Sequence, residues 1–156
     1  MTSKFHGVLM DSAFLWANLS TCNRRQVGCV ITKDARILAT GYNGTISGMD
    51  NCCEYKWCTN CDLEFDNCEC VVYLGDTKTK DTVLHAEQNA LMFALKQGIS
   101  TKNATLYCTD APCVTCSKLI AQAGITKVYY NREYNDSNGI NLLTSVGVEV
   151  KQLENE

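Results

Sequence analysis

The 156 residues carry 14 basic and 17 acidic side chains, a formal net charge of −3, so no surplus of cations is available to track a polynucleotide backbone. Hydrophobic residues make up 46% and charged residues 20%, a balance that suits one domain over residues 1–156 and contains no run near the ~18 apolar residues that cross a bilayer. Composition therefore argues against a long nucleic acid and against a membrane as partners.

Residues 4–19 place Phe5, Val8, Leu9, Leu15, Trp16 and Leu19 at helical intervals, with Lys4, Asp11 and Asn18 between them, which predicts a first amphipathic helix. Asp11 and the broken apolar pattern do not form the basic-then-apolar layout of a secretory signal, so a cytoplasmic chain is expected, in the host cytoplasm if the source is viral. VGCVIT (27–32) and RILATGYNG (36–44) are apolar or β-branched runs separated by KDA, which predicts an antiparallel hairpin. Residues 45–83 have no clear period and hold six cysteines, so they read as an insertion ordered by something other than an apolar core.

From 86 to 97, Ala90, Leu91, Phe93, Ala94 and Leu95 predict a second helix closed by Gly98. ATLYCT (104–109) reads as a strand, and a third helix is expected to open at Pro112 and run through Ala123 to Gly124. TKVYY (126–130) reads as a strand, GINLLTSVG as a helix and VEVKQL as a last extended segment. Strands alternating with helices after the hairpin indicate an α/β domain: a mixed sheet with parallel βαβ units, flanked by helices.

Eleven cysteines in a reducing compartment are read as metal ligands, catalytic groups or small buried side chains instead of a disulfide framework. TDAPCVTC contains the single proline, Pro112, which fixes a helix start so that Cys113 and Cys116 fall one turn apart. The positive end of a helix lowers thiol pKa and favours the thiolate that binds metal. His85, one of two histidines, opens the preceding helix, and a strand between the two helices can bring both starts to one sheet edge. Two cysteines and a histidine leave a tetrahedral zinc with its fourth position open to water, whose pKa the metal lowers to about 7. Glu87, two residues on, is placed to take that proton and return it to a substrate nitrogen.

HAE (85–87) with PCVTC (112–116) resembles the zinc-dependent cytidine/deoxycytidylate deaminase superfamily, whose HxE and PCxxC segments carry the metal. The resemblance implies a three-layer, cytidine-deaminase-like fold with five strands, in which hydroxide attacks C4 of cytosine and ammonia leaves. His85, Cys113 and Cys116 then hold zinc and Glu87 is the proton shuttle. TCNRRQVGCVI, GYNG, NCC and VYYNREY extend the likeness to the deoxycytidylate (dCMP) branch, phage-type members included.

That branch implies dCMP as substrate and dUMP as product, a step that supplies deoxynucleotide for dTMP synthesis. It implies Asn43 on the sugar hydroxyl, the Ala86 N–H on the cytosine carbonyl, and Tyr130 and Tyr134 bordering the nucleotide. Arg24 is expected on the monophosphate, with Arg25 and Lys118 as alternatives. A homohexamer activated by dCTP and inhibited by dTTP is also implied, the triphosphate bringing Mg2+, near Gly41, Tyr42, Gly44, Phe93 and Lys96. A second, structural zinc is expected from Cys22, Cys52, Cys58, Cys61, Cys68 and Cys70, while Cys29 and Cys108 lie inside apolar strands as core residues. Two other readings stand beside this one: a deaminase of another cytosine nucleotide or nucleoside, and a zinc-binding module without catalysis.

Overall fold

Side-chain alternation along two neighbouring strands divides this protein into layers. The computed structural model describes residues 3–59, 61, 63–64 and 75–154. Helix α1 (Ser3–Ala17) leads to a hairpin of β1 (Gly28–Lys33) and β2 (Arg36–Tyr42). The connecting residues Asp34 and Ala35 both take positive φ, of 50° and 60°, the tight reversal that matches strand twist.

The short strands β3 (Gly44–Thr45), β4 (Glu54–Cys58), β5 (Leu63–Glu64), β6 (Gly75–Thr79) and β7 (Val83–Leu84) follow. They make two small sheets, β3 with β7 and β4 between β5 and β6. The insertion therefore has a backbone ladder of its own, where the sequence suggested a loop. Its strand GDTKT has no apolar side chain to alternate, and the alternation in EYKWC is only a few residues long.

The chain then alternates: α2 (Ala86–Lys96), β8 (Thr105–Asp110), α3 (Val114–Gln122), β9 (Lys127–Arg132), α4 (Asn138–Ser145) and β10 (Glu149–Gln152). The main sheet has the order β10-β9-β8-β1-β2. Strand β1 runs antiparallel to both β2 and β8, while β8, β9 and β10 are parallel, so the expected mixed five-stranded sheet is present.

Cys29 and Ile31 of β1, with Leu106 and Cys108 of β8, meet Ala90, Leu91, Ile120 and Leu143 on one side. Val30 and Tyr107 meet Leu9, Met10 and Ala13 on the other. This is a helix–sheet–helix sandwich, and Cys29 and Cys108 are core residues as expected.

The buried face of α1 differs from the expected one. Leu9 is buried and Trp16 packs against the core as expected, but Phe5, Val8 and Leu15 are exposed, at 50%, 61% and 69%, and Met10, Ala13, Phe14 and Ala17 supply the rest of the contact. The cause is close approach: a Cβ on Gly28 would collide with the Ala13 carbonyl and the Ala17 amide, so small residues face the sheet and larger ones are displaced outward.

Candidate active site

Two helix starts converge at the edge where β8 ends. His85 is the N-cap of α2 and Cys113 the N-cap of α3, both in extended backbone, with ψ of 158° and 168°. The helix of the PCVTC segment thus begins at Val114, one residue after Cys113 and not at Pro112 as expected. Pro112 is fully buried and ends the strand connection. With Cys113 as the cap, Cys116 is the third residue of the helix, and both sulfurs stay on the same turn.

The His85 amide donates to Gln88 Oε1 at 2.8 Å, fixing the imidazole's backbone. Its Nδ1 lies 3.6 Å from Cys113 Sγ and 3.3 Å from Cys116 Sγ. Two sulfurs and a nitrogen around a tetrahedral zinc would be separated by about 3.5 Å, given Zn–S and Zn–N bonds near 2.3 and 2.0 Å. The trio therefore fits zinc in spacing and in donor chemistry. It is the one such metal-ligand cluster among the described residues.

Electrostatics separate the two sulfurs. Hydrogen bonding from Cys116, and then from His85, holds the Cys113 thiol down at about 4, while donation to Cys113 and burial push Cys116 up. The His85 imidazole is raised by its contact with Cys113.

Glu87 is 4% exposed, and burial pushes its carboxyl up to about 7. A carboxyl with that value changes charge near neutral pH, as proton transfer requires. His85, Ala86, Glu87 and Cys113 all border a cavity of about 1030 Å³, so two of the three candidate ligands and an acid face one open space, with Cys116 fully buried behind them.

Residues 3–132 match the family described as "Cytidine and deoxycytidylate deaminase zinc-binding region". The chain belongs to this family. It is 41% identical over 149 residues, 92% of its length, to the deoxycytidylate deaminase of Schizosaccharomyces pombe, and it spans 42% of that relative. It is 35% identical to the deoxycytidylate deaminase of Enterobacteria phage T4, with 91% of this chain and 86% of that protein covered. The crystal structure of the dCMP deaminase from cyanophage S-TIM5 in complex with dCMP and dUMP superposes with a TM-score of 0.82 at 40% identity, covering 98% and 99% of the two chains.

Around this family core the other expected residues are scattered. Asn43 borders the cavity, but much of its amide is engaged: Oδ1 accepts from Val27 N–H and Nδ2 donates to the Arg25 carbonyl, both at 2.8 Å. Tyr134 and Arg24 also border the cavity, whereas Tyr130 is buried in β9 away from it. Lys118 is exposed on α3 and does not border it either.

Gly41 and Tyr42 end β2 against α2, where Asn89 Nδ2 donates to the Tyr42 carbonyl at 2.6 Å and Tyr42 stacks on Trp16. Gly44 starts β3, and Phe93 and Lys96 are exposed on α2.

Among the described residues, Cys22 joins no metal-ligand cluster with the cysteines expected to share a metal with it. It forms a disulfide with Cys53, where a second zinc was expected and disulfides in the insertion were the alternative. Cys52 and Cys61 are exposed and Cys58 is buried, while Cys68 and Cys70 lie outside the described residues. No second metal-ligand cluster forms among the described residues.

Sequence reasoning missed two cavity residues, Asp110 and Arg132. The signal was available: Asp110 stands two positions before Pro112, at the end of the strand that aims the PCVTC segment.

Proposed function

We propose that this chain hydrolyses dCMP to dUMP and ammonia, with zinc held by His85, Cys113 and Cys116. One observation carries the reading: an N,S,S donor cluster opens through His85 and Cys113 onto the cavity that a buried carboxyl tuned near neutrality also borders. Bound zinc supplies an acidified water, the nucleophile for displacing a ring amino group. Glu87 would take one proton from that water and give it to the ring nitrogen. It would then take the proton of the hydroxyl added at C4 and give it to the amino group, so that the C4–N bond breaks as C4=O forms and ammonia leaves. Ala86 N–H, in the first turn of α2, has no helical acceptor and is a donor for the cytosine carbonyl. The second hydrogen of Asn43 Nδ2 serves the sugar hydroxyl.

The choice of dCMP is supported by the S-TIM5 enzyme, whose complex contains dCMP and dUMP. The regulatory part of the reading has dCTP activating and dTTP inhibiting a hexamer, with Mg2+ accompanying the triphosphate. Its support is the resemblance, together with the link from Tyr42 through Asn89 into α2, which carries Glu87.

An ultraviolet deamination assay over cytidine, deoxycytidine, CMP, dCMP and dCTP, each with and without dCTP or dTTP, tests both parts. Highest kcat/KM on dCMP is expected. Preference for a free nucleoside would replace the substrate assignment, and absence of turnover on every compound would end it.

A further inference from the structure

Asp110 is the last residue of β8 and only 3% exposed. Parallel pairing sets it beside Arg132 at the end of β9, and Arg132 Nε donates to Asp110 Oδ1 at 2.8 Å, with Nη2 2.6 Å from the same oxygen. The other oxygen, Oδ2, makes an ion pair with Arg25 Nε without an aligned hydrogen bond. One buried carboxylate thus holds two guanidinium groups, and two positive charges against one negative leave +1 on the cavity wall that both arginines border.

The two arginines are further fixed by their surroundings. Arg25 Nη2 donates to the Glu133 carbonyl at 2.9 Å, its guanidinium lies 5.6 Å from the Tyr134 ring centre, and Asn43 grips its backbone carbonyl. Arg132 Nη2 donates to the Gln26 carbonyl at 2.9 Å and reaches Thr109 Oγ1 at 3.4 Å, and its guanidinium packs on Phe14. Among the described residues, Nη1 of each arginine has no partner. The cavity's other carboxylate near the arginines, Glu54, has its Oε1 occupied by the Asn23 and Arg24 amides.

We propose that Asp110 is a positioning residue that presents Arg25 and Arg132 as a paired cradle for the 5′-phosphate of the nucleotide substrate. The inference rests on the function proposed above and assigns that site's anion-binding part. Guanidinium forks match the oxygens of a phosphate monoester. Two of them would repel each other and splay without the carboxylate between them. Arg24, expected for this role from sequence, has no side-chain partner among the described residues, so using it would require ordering a freely rotating chain.

The test compares wild type with D110N, R25Q and R132Q on dCMP and on deoxycytidine, with zinc content and circular dichroism as controls for folding. Each variant is expected to raise the KM for dCMP at least about tenfold, with a smaller change in kcat, and to lower the ratio of kcat/KM for dCMP over deoxycytidine by a similar factor. The inhibition constant of inorganic phosphate should rise in parallel. Should D110N lose zinc or helix content, R132Q decides, because its side chain is 43% exposed. An unchanged KM for dCMP in R132Q, or equal losses on both substrates, would overturn the cradle. Wild-type protein that turns over CMP in place of dCMP would refute the choice of sugar and leave the cradle standing; inactivity on every 5′-nucleotide would refute the functional reading itself.

Discussion

Cys116 Sγ lies 3.3 Å from His85 Nδ1 across 31 residues of sequence, a contact made possible because α2 and α3 both begin where β8 ends. Each candidate ligand caps a helix or lies in its first turn, so its direction is set by helix backbone geometry. Removing either donor leaves two ligands, too few to retain zinc against exchange. H85A and C116A should therefore purify with far less zinc than the roughly one equivalent expected of wild type, measured by atomic absorption. Full zinc in either variant would mean that the ion sits elsewhere.

The role proposed for Glu87 separates catalysis from metal binding. It is buried beside the trio without being one of the three donors. E87Q keeps volume and hydrogen-bonding capacity but cannot carry a proton, so kcat should fall about 100- to 10,000-fold with zinc content unchanged. A variant with full zinc and near-normal turnover would show that the proton moves by another route.

The parts legible in the sequence were those with a period or a fixed spacing. HAE and PCVTC announced the cluster because each stands at a helix start, where a ligand's direction follows from backbone geometry. The mixed, helix-flanked character of the sheet followed from a hairpin and then alternating strands and helices. What could not be read depended on contacts between distant segments. The exposed side of α1 is set by Gly28, and the Asp110–Arg132 pair by a β8–β9 register that no local pattern encodes. The Cys22–Cys53 bridge likewise joins the end of the first helical segment to the insertion across 31 residues, with several other cysteines available as partners.

Gly41 couples β2 to α2 by contact alone. A Cβ there would press on the Ala86 carbonyl and on Ala90 of α2. These are backbone atoms and cannot rotate aside. G41A should destabilise the protein by about 1–3 kcal/mol and lower kcat by displacing Ala86 and Glu87, as read by urea denaturation and by dCMP turnover. Wild-type stability in G41A would show that the strand and helix separate freely, and would weaken any route by which the β2 end influences the site.

On the opposite face of the sheet, His6 Nδ1 is 2.9 Å from the Tyr107 hydroxyl, and its ring packs 4.4 Å from that of Tyr129. Burial, with the positive charges of Lys151 and Lys127, lowers the His6 pKa below 6.5, and Glu149 only partly opposes this. The unfolded chain therefore binds a proton at a pH where the folded chain does not. Its contribution to stability is complete above about 6.5 and is lost as pH falls through the folded value. Urea midpoints should drop between about pH 7 and pH 5 in wild type, and drop less in H6Q, which can still bond Tyr107 but does not titrate. Equal slopes in the two proteins would show that His6 is as freely protonated in the fold as in the unfolded chain.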